Sequence, residues 1–243
     1  MNLSNAVALV TGAGSGIGQA TTAALLEKQV RVIATDIDAT RLQPLADNSA
    51  RVLCLPLDVT DGDAVAQLPS SLPPEWWDVD ILVNCAGHDI GGRRPFTDGH
   101  ADRYAHIIET NLIGVMRITH ALAVGMTARR NGHIVTIGSS AGHRTEATTS
   151  TYTASKHAIH GWCDSLRKDF VGTGVRVTEI CPGRVRTNFG YARAETQADA
   201  EAHYNAVGQC LTSADVAHGI VYALEQPDHV VVSQLHLMPA DQI

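Results

Sequence analysis

Three residues in the middle of the chain could together move a proton: Ser139, Tyr152 and Lys156. Tyr152 and Lys156 are four apart, so on a helix they share a face. A free phenol titrates near pH ~10, and a neighbouring ammonium favours the phenolate and lowers that value. A tyrosine tuned towards neutrality can give or take a proton in a transition state. Ser139 stands after the strand-like run His133 to Ile137, closed by Gly138, and could hydrogen-bond the oxygen that gains or loses that proton. An ordinary amphipathic helix with a snorkelling lysine would show the same spacing. The chemical reading therefore depends on what surrounds these residues.

The elements around them form a pattern. A helix is expected from about Thr151, with Tyr152, Ser155, Ile159, Trp162, Leu166 and Phe170 stepping by three and four. At the other end of the chain, Ala6 to Val10 is apolar throughout, as a buried parallel strand is. TGAGSGIG (11–18) follows it and opens a helix. Strand, glycine loop and helix make a pyrophosphate site: glycines let the backbone approach, and the helix N-terminus offers free N–H groups. A second strand, Val30 to Asp36, ends in an acid 18 positions after Gly18. That is close to the ~20 expected for the acid that holds an adenosine ribose. Such a carboxylate repels a 2′-phosphate, and the next residue is Ile37 with no arginine beside it, so NAD is the expected cofactor.

Further strands are expected at Arg51–Leu57, Val79–Val83, Gly174–Ile180 and His229–Leu237, with a short helix over Thr40–Asp47. A loop is expected over Pro69–Pro74. Asp58 ends the third strand and suits either an adenine contact or a helix N-cap. Small residues in Asn84-Cys-Ala-Gly87 leave room for a cofactor against the backbone. A long helix from about Ala101 to Ala128 is interrupted by Asn111 and Gly114, where a buried polar side chain needs a specific reason, such as bending the helix to hold a water. Residues 187–210 read as loosely packed helices, a candidate lid, and Thr212 to Asp215 resembles a capping box. Alternation of strands and helices throughout predicts an α/β fold: one Rossmann-type doubly wound parallel sheet of about seven strands, helices on both faces, forming a single domain over 1–243.

Composition narrows the classes. The 243 residues are 44% hydrophobic and 18% charged, enough for a sizeable core, and the formal charge is −7 with no Lys/Arg block. That argues against a nucleic-acid partner. The chain shows no apolar run near ~18 residues and no signal-peptide layout, so neither a membrane nor export is expected. Five scattered cysteines without a CxxC suit reduced thiols in the cytoplasm. Of the 12 histidines, His157 and His160 lie one helical turn apart, but no third ligand follows at metal spacing, and no metal site is expected.

Taken together, these motifs resemble the short-chain dehydrogenase/reductase family over nearly the whole chain. TGAGSGIG resembles its cofactor loop, which assigns Gly12, Ser15, Gly16, Ile17 and Gly18 to cofactor contact. Asp36 with Ile37 resembles its cofactor-selecting position, Asp58 with Val59 its adenine contact, and NCAG its NNAG signature, with Cys85 where Asn is usual. Asn84, Ala86 and Gly87 are thereby implied as contacts, and so are Pro182, Gly183, Val185 and Thr187 in CPGRVRT. Asn111, Ser139, Tyr152 and Lys156 match the catalytic set, with Tyr152 as acid–base and Asn111 holding the water of a proton relay. A narrower resemblance, in LRKDFVGTGVRVTEICPG and SQLHLMPADQ, is to the subgroup acting on serine and other short 3-hydroxy acids, which usually uses NADP.

The implied activity is NAD-dependent interconversion of an alcohol and its carbonyl, on a small-molecule substrate such as a short 3-hydroxy acid or hydroxy-sulfonate. Polyols and cyclic diols are the alternative within the family, and a non-catalytic NAD-binding sensor or assembly subunit the alternative outside it. The resemblance also implies a homotetramer or homodimer. An anionic substrate needs a cationic pocket, for which Arg93, Arg144, Arg184 and Arg186 are the candidates, with Arg94 beside the first.

Overall fold

The computed structural model describes residues 3–48, 50–91 and 93–242. Seven strands form one parallel sheet: β1 (Val7–Thr11), β2 (Arg31–Asp36), β3 (Val52–Pro56), β4 (Ile81–Asn84), β5 (Gly132–Ile137), β6 (Val175–Pro182) and β7 (Gln234–Leu237). Their order is β3-β2-β1-β4-β5-β6-β7. The chain winds outwards one way from β1 and then the other way from β4. Between those two strands the loops diverge and leave a crevice at the carboxyl ends, where open α/β sheets bind ligands.

Side chains alternate across β1, and each set feeds a different core. Val7 and Leu9 join Leu82, Ile118, Leu122, Ile134 and Ile159 on one face. Ala8 and Val10 join Leu25, Leu42, Val216, Ile220 and Leu224 on the other. The helices that cover these faces are α1 (Gly16–Glu27), α2 (Ala39–Asn48), α3 (Gly62–Ser71), α4 (Ala101–Ile108), α5 (Val115–Arg129), α6 (Ser150–Asp169), α7 (Asn188–Arg193), α8 (Gln197–Asn205) and α9 (Ser213–Glu225). The doubly wound sheet expected from the sequence is the fold observed.

Several elements differ from the sequence reading, each for a local reason. Helix α3 was not expected; Asp61 caps it by accepting from the N–H groups of Asp63 and Ala64, and Pro69 sits in its last turns rather than in a loop. Asp61, not Asp58, is therefore the cap. The last strand is only Gln234–Leu237, because residues 226–230 turn back and the Arg176 guanidinium takes the carbonyls of Gln226, Pro227 and Val230 at 3.0, 3.3 and 3.1 Å. The capping box before α9 is present in full, Thr212 and Asp215 each bonding the other's backbone N–H.

Helices α4 and α5 are continuous through a π-helical turn at Glu109–Gly114. The 29 residues 101–129 are long and apolar enough to cross a membrane by length and composition alone, contrary to the sequence reading. In the fold, Ile107, Val115, Ile118, Leu122 and Met126 on this helix are buried in the core.

Candidate active site

A cleft of about 670 Å³ opens at the carboxyl ends of the strands. The glycine loop forms one wall. Gly12 adopts φ +65° and lies against the backbone of Ala86; a Cβ there would come within 3.1 Å of it. At Gly18 a Cβ would meet the Gly12 carbonyl oxygen at 2.1 Å, so α1 and the loop pack closer than any side chain allows. Ser15 stands at the N-cap of α1, but its side chain makes no cap hydrogen bond. The first N–H groups of that helix face a surface suited to phosphate oxygens. Ile17, Asp58, Val59, Ala86, Gly87, Pro182, Gly183, Val185 and Thr187 line the same cleft.

At one end, Asp36 is 8% exposed. Its Oδ2 accepts from the Gly14 N–H and its Oδ1 from the Asp38 N–H, both at 3.0 Å. Ile37 is 70% exposed beside it. One cation does reach this end: Arg41 lines the cleft, with its Nε 3.0 Å from Asp38 Oδ2. Sequence reasoning looked only at the adjacent residue and missed the arginine one helical turn further on. The thiol of Cys85, where the family usually has Asn, also lines the cleft, and burial pushes it up to about 12.

At the other end, α6 and the turn after β5 bring Ser139, Tyr152 and Lys156 together on the cleft wall. Ser139 is held by its own turn, its Oγ accepting from the Ala141 N–H at 3.1 Å. Lys156 Nζ donates to the Ile137 carbonyl at 2.7 Å and lies 5.8 Å from the Tyr152 ring centre. Burial lowers Lys156 to about 8, against the opposing pull of the Glu179 carboxylate. Tyr152 departs from the sequence expectation. Its phenol is raised, not lowered, because desolvation outweighs the hydrogen bond with Ser139 and the nearby Arg193 charge, which both favour ionisation. The residue as a whole is half-buried, with its ring against Phe189. Lys156 directs one of its three N–H donors at Ile137, and it is not among the groups that shift the phenol.

Two expected contacts lie behind the wall rather than on it. Asn84 is 2% exposed; its Nδ2 donates to Thr119 Oγ1 at 3.1 Å and Thr136 Oγ1 at 3.3 Å, tying β4 to α5 and β5. Asn111 sits in the π turn, 1% exposed. Its Oδ1 accepts from the His88 N–H and its Nδ2 donates to the His88 carbonyl, each at 2.9 Å, with Ser155 Oγ at 3.3 Å. The reason this buried Asn requires is therefore a clamp on the backbone that follows Gly87, and its side-chain hydrogen bonds are taken by protein groups.

Segment 187–210 is anchored rather than loose. Tyr204 on α8 is 2% exposed and donates to the Thr187 carbonyl at 2.7 Å. From α7, Phe189 packs against Tyr152 with ring centres 5.6 Å apart. Arg193 lies 5.9 Å from the Tyr152 ring and 5.8 Å from Phe189. Sequence reasoning did not single out Arg193; its only signal was its place in the candidate lid. Its Nε is 3.3 Å from the carboxylate of Asp89, a fully buried acid.

The four candidate arginines separate. Arg184 lines the cleft, and its Nη1 is buried without a hydrogen-bond partner among the described residues. Arg144 also lines the cleft, near Ser140 Oγ at 3.4 Å. Arg93 stands just behind, 2.9 Å from His203 Nδ1, while Arg94 pairs with Glu195 at 3.3 Å. Arg186 does not face the cleft: Glu201 and Asn205 of α8 take its Nη atoms at 2.9 and 3.1 Å, over the Tyr204 ring. Burial first, and then the charges of Arg184, Arg93 and Arg193, lower His203 to about 4.

Asp89 supplies a pH test of this arrangement. Burial raises its carboxyl from 3.8 to about 6, although Arg193 and Arg93 pull it down. The native state thus holds that proton more tightly than the unfolded chain. Stability is favoured below about pH 4 and is lost as pH rises towards 6, by on the order of 3 kcal/mol. Denaturant titrations at pH 4 and pH 6.5 are expected to show this loss in the wild type and a smaller one in Asp89→Asn. An equal loss of stability between the two pH values in both proteins would refute the assignment.

The sheet and cleft define an α/β oxidoreductase that uses a nicotinamide dinucleotide, and the chain belongs to the short-chain dehydrogenase family. The family model described as short chain dehydrogenase matches residues 6–198. Over 240 residues the chain is 37% identical to the NADP-dependent 3-hydroxy acid dehydrogenase YdfG of Escherichia coli (strain K12), covering 97% of this chain and 96% of the relative. Among solved structures it is similar to the closed form of serine dehydrogenase complexed with NADP+, with TM-score 0.94, 36% identity and coverage of 98% and 96%. It is also similar to an actinorhodin polyketide ketoreductase with NADPH, with TM-score 0.85, 29% identity and 96% coverage of each chain.

Proposed function

We propose that this protein oxidises the hydroxyl of a short anionic hydroxy acid, a 3-hydroxy acid or its sulfonate analogue, with NAD in preference to NADP. The observation that carries the substrate class is Arg184: a buried guanidinium nitrogen without a partner, in the cleft that holds Tyr152. A buried unmatched donor is costly, and a carboxylate or sulfonate on the substrate satisfies it with a charge-assisted hydrogen bond. Arg144 and Arg193 flank the same space. The named activities of the relatives, on 3-hydroxy acids and serine, support the same class.

In this reading Tyr152 takes the hydroxyl proton, Ser139 orients the substrate oxygen, and Lys156 carries positive charge beside the phenol. Asn111 acts indirectly, by fixing His88 and the Gly87 backbone. A dinucleotide held there would supply the hydride acceptor; that chemistry is the cofactor's, and the chain supplies position and charge. Gly12, Gly16 and Gly18 and the N-terminus of α1 hold the pyrophosphate, and Thr187 with Val185 borders the nicotinamide. Asp36 receives the adenosine ribose hydroxyls and opposes a 2′-phosphate, a departure from the NADP-dependent relatives.

Steady-state kinetics with a 3-hydroxy acid and the neutral diol of the same length test the substrate class. The acid is expected to react with the higher kcat/KM. Arg184→Ala should reduce kcat/KM for the acid by about 100-fold and leave the neutral analogue within about threefold. Preference for uncharged polyols in the wild type, with no selective loss in the variant, would return the reading to polyol or cyclic diol oxidation.

A further inference from the structure

On the far side of β6 from the cleft, four elements bring a group of metal-ligating side chains to one place. His143 follows the turn that carries Ser139, His160 is on α6, Glu179 and Cys181 are on β6, and His236 is on β7. None of them borders the cleft. They form two overlapping triads, each with donor atoms within 4.8 Å of one another: His143, Cys181 and His236, and His143, His160 and Glu179.

The second triad already has an occupant. The amide Nε2 of Gln234 lies 2.7 Å from Glu179 Oε2, 2.8 Å from His160 Nδ1 and 3.3 Å from His143 Nε2. Two amide hydrogens satisfy the carboxylate and one ring nitrogen, so this triad is closed by hydrogen bonds. The first triad is not closed in the same way: the Gln234 amide reaches His143 Nε2 and His236 Nε2 only at 3.3 Å each, and no hydrogen bond joins it to Cys181 among the described residues. Cys181 Sγ is 3.6 Å from His143 Nε2, close to the sulfur–nitrogen separation that metal–sulfur and metal–nitrogen bonds of ~2.3 and ~2.0 Å enclose at a tetrahedral angle. The His143 and His236 rings are 4.7 Å apart, tilted by 59°. Both histidines are exposed while Cys181 is buried, so an ion has an entry path from solvent and a sheltered sulfur beneath.

We propose that His143, Cys181 and His236 bind one borderline-soft divalent cation of the zinc class, with water at the fourth position. One thiolate and two imidazoles select this class over calcium or magnesium, which prefer oxygen. Binding forms the metal–sulfur bond as the Cys181 proton passes to solvent. His236 Nε2 donates to the Gln234 oxygen at 3.3 Å, which leaves Nδ1 as the ligating nitrogen of that ring and makes Gln234 the partner that fixes its orientation. The ion ties the edge strand β7 and β6 to the turn that bears Ser139. It is a structural device outside the reaction path.

The experiment uses untagged, chelator-stripped full-length protein. Equilibrium dialysis against micromolar zinc, followed by elemental analysis, is expected to give one equivalent per chain. The melting temperature should rise by on the order of 5 °C at about 100 times the dissociation constant. Cobalt titration should produce visible d–d bands and a thiolate-to-cobalt charge-transfer band. Cys181→Ser should abolish the charge-transfer band, and His143→Ala and His236→Ala should lose the bound equivalent. His160→Ala and His157→Ala should keep it, and circular dichroism of each apo variant separates lost ligation from lost folding. Absence of stoichiometric binding by folded wild type would overturn the proposal. So would a bound equivalent that survives His236→Ala but is lost in His160→Ala, because the ion would then sit in the other triad.

Discussion

Tyr152→Phe is expected to lose turnover by about 100-fold or more while NAD affinity stays within a few-fold of wild type. The substitution removes one oxygen and little else. The ring keeps its packing against Phe189 and its place 5.9 Å from Arg193. Lys156 keeps its hydrogen bond to the Ile137 carbonyl, so the anchor of the cofactor-side lysine is undisturbed. What disappears is the titrating oxygen on the cleft wall, which Ser139 pulls towards ionisation. Fluorescence titration with dinucleotide and initial rates on the acid substrate, measured on the same preparation, separate the two effects. Near-normal turnover in this variant would remove Tyr152 from the reaction and open the non-catalytic reading of the fold.

The second large effect concerns the cofactor. Wild type should use NAD over NADP strongly, because a 2′-phosphate would meet the Asp36 carboxylate at close range. Asp36→Ala combined with Ile37→Arg is expected to shift the ratio of kcat/KM values towards NADP by about 100-fold to 1,000-fold. The structure adds two qualifications to the design. Asp36 holds the backbone N–H groups of Gly14 and Asp38, so the variant pays in stability, and melting temperatures should be measured alongside. Arg41, paired with Asp38, is a ready phosphate partner once the repelling acid is gone. Equal use of both cofactors by the wild type would refute the role given to Asp36.

The parts legible in the sequence are those whose residues lie close together along it. The glycine loop is eight contiguous residues with a strand before it and a helix after it, and each of those features is written locally. Tyr152 and Lys156 share a helix face by spacing alone. Asp36 is recognisable because its strand carries it to the carboxyl end of the sheet. By contrast, Arg193 and Asp89 meet across a hundred residues, and no periodicity links them. Arg186 looked like Arg184 in sequence, but α8 places Glu201 and Asn205 against it. The sign of the Tyr152 shift was also out of reach, since a motif gives the neighbouring charge and not the desolvation. The cluster of His143, Cys181 and His236 is the clearest case: metal spacing was sought along one helix, whereas the ligands come from three separate segments.

The π turn at Glu109–Gly114 bears on how this chain can change over time. Such a turn holds one more residue than an α-helical turn, so it absorbs that residue and keeps the two halves of the long helix in phase. Losing a single residue there would give a regular helix and leave Val115, Ile118 and Leu122 on the face that fills the core. What would go is the widened turn that aims Asn111 at the His88 backbone. A residue gained or lost elsewhere in the helix has no such outlet and turns everything after it by about 100°. Length variation along this helix is therefore confined to the six-residue window, in which Thr110 alone among the described residues lines the cleft.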